Sequence, residues 1–168
     1  VQAAFTIVQD YEKRSQAGEM SLEEAKTQAK ERLRQIRYKG QEYVWINNMN
    51  GEFVMNPFVK ELETMSKAQM LEHPRFKRLE PIMTSIVKVC NQASQEGFVE
   101  YDAGKPGDTS GKLYPKVSFV KLLPAWGWVV GSGIYVDEVE AQVSRLWVEN
   151  LLAISVGASV GIAFGLLM

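Results

Sequence analysis

Histidine and cysteine, the residues most often used for catalysis or metal binding, each occur once in this chain, at His73 and Cys90. His73 sits in a polar loop beside Pro74, and Cys90 inside an apolar helical pattern that suits a buried thiol. Neither a Ser-His-Asp nor a Cys-His arrangement can be assembled from such a pair, and no metal-ligand spacing appears. Gly131-Ser132-Gly133 lies within a strand pattern and lacks the following helix that a phosphate loop requires. Its glycines suit close packing, or backbone amides that reach a ligand. Without a nucleophile-base pair the chain reads as a binding module rather than an enzyme, with no cofactor and no metal expected.

The residues able to bind are concentrated in YVWINNMNGEFVMNP, positions 43–57. Asn50-Gly51 joins two strand-forming runs and signals a hairpin. A two-residue type I′ loop there, with positive φ at both residues, sets Trp45 opposite Asn56 and Asn47 opposite Val54. Alternation then gives Tyr43, Trp45, Asn47, Val54 and Asn56 one face, and Val44, Ile46, Phe53 and Met55 the other. The second face is apolar and needs a helix or sheet against it. The first mixes aromatic rings with amides, as a small-molecule pocket does, or as a core face does when neighbouring backbone satisfies the amides. In strand 113–122, Tyr114, Lys116 and Ser118 share a face with Val120. If that face is open, Lys116 is simply solvated. If it joins Tyr43, Trp45 and Asn56, Lys116 is the cation of an aromatic pocket and implies an anionic ligand.

Such groups must be held by a scaffold, and 168 residues suffice for one domain with appendages. Nineteen Lys and Arg against twenty Asp and Glu give a net charge of −1, which argues against a nucleic-acid surface. Val1, Ala4, Phe5, Val8 and Tyr11 follow helical spacing, and Leu22, Ala25, Ala29, Leu33 and Ile36 resume it beyond Gly18. Ser21 and Glu24 predict a capping box, and the helix is expected to end near Arg37–Gly40. Segment 58–80 reads as a loop with short helical turns, and Pro81 opens a helix through about Gln95. Strands are predicted at 98–102, 113–122 and 127–136. The expectation is an α+β domain in which a long N-terminal helix packs on a five-stranded antiparallel sheet. From Asp137 the pattern is helical again and runs into 150–168, which carries no charge and is long enough to cross a bilayer. Trp147 stands where an interfacial aromatic belongs. Ala153, Gly157, Gly161 and Gly165 form one stripe that would let two copies approach closely, so a homodimer is expected.

The runs LRQIRYKGQEYVWINNMNGEFVMNP, EGFVEYDAGKPG and LYPKVSFVKLLPAWGWVVGSGIYVDEVE resemble the single Cache domains of bacterial chemoreceptors and sensor kinases, most closely the second single-Cache type. The resemblance covers roughly residues 5–142. It implies a PAS-like sheet outside the cytoplasmic membrane, a small organic ligand such as a short carboxylate, and a cytoplasmic signalling module beyond Met168. It divides the chain into a helical stalk (1–37), the Cache domain (38–137), an exit helix (138–149) and a membrane helix (150–168). By position, it implies a pocket drawing on Arg37, Tyr43, Trp45, Tyr101, Lys116 and Ser118, to which the hairpin face adds Asn56. Asn56 stands where the family commonly has histidine, and Asn48 where it usually has aspartate. Tyr43, Trp45 and Tyr101 are expected to leave room for only a few carbon atoms. A membrane-anchored structural or adhesive domain, its mixed face filled by side chains, is the other reading.

Overall fold

In the computed structural model, residues 1–38, 42–74 and 76–147 are described. The N-terminal apolar stripe is carried by two helices, α1 (Gln2–Gln16) and α2 (Leu22–Arg34), separated where Gly18 takes φ +76°. Only half of the expected capping box forms. Ser21 Oγ accepts from Glu24 N at 3.2 Å, while the Glu24 carboxylate accepts instead from Gln28 Nε2 at 3.0 Å. Helix α2 stops at Arg34, and Arg37–Tyr38 form a short strand, β1, where the end of the helix was expected.

Five further strands follow: β2 (Glu42–Asn48), β3 (Phe53–Met55), β4 (Glu96–Ala103), β5 (Tyr114–Leu123) and β6 (Trp128–Tyr135). The sheet order is β1-β2-β6-β5-β4, with β3 paired to β2 off this path. Among the described residues the sheet therefore has six strands rather than five. A two-residue strand such as β1 cannot display a period of two, so only its pairing with β2 reveals it.

One face of the sheet is covered by α1 and α2, with Phe5, Val8 and Leu33 against Val44, Ile46 and Val130. The other is covered by segment 60–90. This contains 3-10 turns at Lys60–Thr64 and Lys77–Leu79, helix α3 (Lys67–Glu72) and helix α4 (Glu80–Cys90). Leu62, Met70, Met83 and Ile86 pack there with Trp45 and Val120. Helix α4 ends earlier than the expected Gln95. Gly97 belongs to β4, where a Cβ would stand 2.9 Å from Val89 Cγ1.

Arg34 joins the two sides. Its guanidinium donates to both Glu63 oxygens, at 2.6 and 2.9 Å, and Glu63 Oε1 also accepts from Asn56 N at 2.9 Å. Burial is the largest single influence and disfavours the Glu63 charge. The hydrogen bonds from Arg34 and from Asn56 N, together with the Arg34 and Lys60 charges, outweigh it and hold the carboxyl below its ordinary range. A lowered folded pKa means that the pair's stabilisation is present above the unfolded carboxylate pKa, near 4.5, and is lost as pH falls through the folded value. Glu63→Gln should therefore flatten the acid limb of a pH–stability curve below about pH 4.5, and an unchanged limb would deny the clamp that role.

The chain divides into two compact units, Val1–Ile134 and Tyr135–Met168. In the second, residues 136–147 are helical where described, so the expected exit helix is seen only in part. Among the described residues no helix is long and apolar enough to cross a membrane. The expected span at 150–168, with its glycine stripe, lies outside the described residues.

Candidate functional site

The β2–β3 turn is longer than the type I′ loop expected. Asn48 N donates to Glu52 O at 2.9 Å and Gly51 N to Asn48 O at 3.0 Å, so the loop is Met49-Asn50-Gly51. Within it Gly51 alone takes a positive φ, +83°, the geometry of a three-residue hairpin loop with glycine in the left-handed position. The deciding group is Asn48, whose Oδ1 accepts from both Asn50 N and Glu52 N at 3.0 Å. Ile46 pairs with Met55 and Asn47 with Phe53, with a register shift between them. Tyr43 and Trp45 still face away from Val44 and Ile46. Phe53, however, joins the side of Trp45, and Val54 packs on the helix side, the reverse of their expected faces.

Between the Trp45 face and the covering segment lies a cavity of about 480 Å³. The strands contribute Tyr43, Trp45, Phe53 and Tyr101. The covering segment contributes Leu62, Phe76, Arg78, Ile82 and Met83, and the end of β4 and the β4–β5 loop line it through Asp102, Gly104 and Thr109. The last three are exposed, so the cavity opens to solvent there. It is larger than three aromatic walls alone would leave.

Asn56 lines the cavity at the end of β3. Its Oδ1 is committed, accepting from Phe58 N and Val59 N at 3.0 Å, so Nδ2 is the atom left to meet a ligand. Trp45 lies edge-on to Gly131, where a Cβ would stand 2.4 Å from Cζ2, so glycine there makes room for the indole. Trp45 Nε1 is buried without a hydrogen-bond partner among the described residues. Burial and the Glu42 charge push the Tyr43 phenol up to about 12. Burial also raises Tyr101 well above its usual value, against the opposing effect of Ser118, with which its hydroxyl is hydrogen-bonded at 2.8 Å. Both phenols therefore remain neutral hydrogen-bonding groups at physiological pH.

Lys116 and Ser118 do not line the cavity but stand behind its rings. Lys116 is 1% exposed, with Nζ 4.4 Å from the Tyr43 ring centroid and 5.8 Å from that of Trp45. Glu42 Oε2, on a residue 3% exposed, lies 3.9 Å from Nζ, so the ammonium has a carboxylate beside it. Arg37 is exposed and outside the lining. It donates to Arg34 O at 2.8 Å and Ile36 O at 2.7 Å, capping α2, and stacks 4.8 Å over Phe58. Of the expected residues, Tyr43, Trp45, Asn56 and Tyr101 thus share one cavity; Lys116 and Ser118 support it, and Arg37 is apart. Phe58, Phe76 and Arg78 were not foreseen as lining residues, because segment 58–80 shows no long periodicity. Ile82 and Met83 belong to the helix opened by Pro81, whose place over the cavity no local pattern gives. A local signal was available in Ser66 and Gln69, which form a reciprocal cap at 3.3 and 2.8 Å and mark the start of α3.

Comparison with known proteins adds relatives to this geometry. A family profile described as "Cache domain" matches residues 1–166. The methyl-accepting chemotaxis protein McpP of Pseudomonas putida is 31% identical over 145 residues, which is 86% of this chain and 25% of that protein. The chain therefore spans about a quarter of that relative's length. A solved periplasmic sensor domain of a chemotaxis protein superposes with a TM-score of 0.68 at 38% identity, over 80% of this chain and 89% of that one. A second solved structure, titled as the basis for carboxylic acid recognition by a Cache chemosensory domain, gives 0.69 at 30% identity, over 80% and 87%.

Proposed function

Because this chain belongs to the Cache domain family, we propose that it is the extracytoplasmic sensing part of a receptor in the bacterial cytoplasmic membrane and binds a small carboxylate. The observation that carries the reading is the cavity itself: an aromatic-walled space whose available polar atoms include the Asn56 Nδ2 donor and the Arg78 cation. Groups of that kind favour a ligand rich in acceptor oxygens, and the carboxylic acid recognised by the related domain is of that class. The alternative structural or adhesive domain needs this face filled by side chains, and a cavity of about 480 Å³ speaks against it. In the proposed ligand site, Tyr43, Trp45, Asn56 and Tyr101 touch the ligand while Lys116 and Ser118 hold the rings in place. Binding would shift the population between receptor states of a homodimer, read by a signalling module C-terminal to this segment.

Asn56→Asp tests the site with little change of shape. The aspartate still accepts from Phe58 N and Val59 N, but replaces the donor with a negative charge in the cavity wall. Affinity for a carboxylate ligand, measured by calorimetry, should fall by roughly tenfold or more, as expected from losing a charge-assisted hydrogen bond. Unchanged affinity in a folded variant would remove Asn56 from the site.

A further inference from the structure

Resting on that reading, we infer that the acid is a monocarboxylate with a sizeable apolar body, held with its carboxylate at the Arg78 mouth and its hydrocarbon part inside. A volume of about 480 Å³ falls in the range of roughly 300–1,000 Å³ typical of pockets for larger organic ligands. An acid of two or three carbons would leave most of that space to water. The walls make such wetting unfavourable. Phe53, Leu62, Phe76 and Met83 line the cavity and are each less than a tenth exposed, so water inside meets hydrocarbon on several sides. A ligand that covers these side chains gains what a short acid cannot.

The charges indicate which end carries the carboxylate and how many there are. On the sheet side, the Lys116 ammonium already has Glu42 beside it and two rings between it and the cavity. On the β4–β5 loop, Asp108 accepts from Ser110 N at 2.8 Å and from Tyr114 OH at 3.0 Å, and Lys105 lies 4.6 Å over the Tyr114 ring. Arg78 is different. It is exposed, lines the cavity, and has no ion pair among the described residues. A Cβ built on Gly104 would stand 4.0 Å from Arg78 Nη2, which places the guanidinium against the loop at the mouth. A planar fork of donors suits a carboxylate. Asp102, exposed on the same rim, opposes a second negative charge and selects against dicarboxylates.

The test is calorimetry of the whole 168-residue chain held in lipid nanodiscs, with empty nanodiscs as blank. The probes are acetate, propionate, hexanoate, succinate, 3-phenylpropionate and its neutral amide. 3-Phenylpropionate should bind at least tenfold more tightly than propionate, in line with the gain from burying a phenyl group. Its amide and succinate should each bind at least tenfold more weakly than 3-phenylpropionate. Arg78→Gln should weaken 3-phenylpropionate by about tenfold while leaving the amide unchanged. If acetate or propionate binds most tightly, the inference fails while the sensing of carboxylates stands. Equal affinity for acid and amide would also overturn it, because the mouth would then not read charge. Binding of none of the acids would overturn both.

Discussion

Replacing Lys116 with Met should destabilise the domain by about 3–5 kcal/mol, the usual cost of stripping one partner from a buried ion pair. Lys116 and Glu42 are both almost fully buried, 3.9 Å apart, on β5 and β2, with β6 lying between those strands in the sheet. The methionine preserves most of the side-chain volume, so the loss comes from the carboxylate left behind rather than from a cavity. Glu42→Gln leaves the ammonium without its counter-charge, but the amide oxygen can still accept from it and the Tyr43 and Trp45 rings stay against it, so the cost should be smaller. The double variant should lose clearly less than the sum of the two single variants, and chemical denaturation of all four proteins measures that coupling. Additive losses would mean that the two groups do not act as a pair. The pair also bears on recognition: a cation with a carboxylate of its own at 3.9 Å holds the Tyr43 and Trp45 rings as much as it attracts a ligand.

Gly133→Ala should cost about 3 kcal/mol or more and lower the melting temperature by roughly 10 °C. A Cβ there would stand 2.1 Å from Ser118 Oγ and 2.5 Å from the Val117 carbonyl oxygen. The hydroxyl can rotate away, but the carbonyl belongs to β5 and moves only if β5 and β6 separate. Displacing Ser118 also breaks its 2.8 Å hydrogen bond to Tyr101 in the cavity wall, so any ligand affinity should fall together with stability. Adding Ser118→Gly removes the nearest obstruction but not the carbonyl, and should recover only part of the loss. A melting temperature within about 2 °C of the parent would show that the strands yield more easily than this packing allows.

Much of the scaffold is written locally. Leu22, Ala25, Ala29 and Leu33 define the buried stripe of α2, since a helix brings residues three and four apart together whatever lies beyond it. The alternation in 43–47 likewise separates Tyr43 and Trp45 from Val44 and Ile46 before any partner strand is known. These patterns made the α+β class legible, along with the Tyr43 and Trp45 part of the wall. Tyr101 entered through the family resemblance, and Asn56 through a hairpin register that the structure shifts. Other features depended on contacts that no short window contains. Asn48 reset the hairpin register through two side-chain hydrogen bonds and so exchanged the faces of Phe53 and Val54. Arg37, close in sequence to the pocket strand, spends its charge on the carbonyls of its own helix end. Lys116 meets Glu42 from a strand separated from it in the chain by β3, α3, α4 and β4, and Arg78 reaches the cavity only because α4 and the preceding turn fold over the sheet. Periodicity reports which face of an element is apolar, because that follows from backbone geometry alone. Which charge faces which cavity is decided by the packing of one element on another, and only the tertiary structure holds that information.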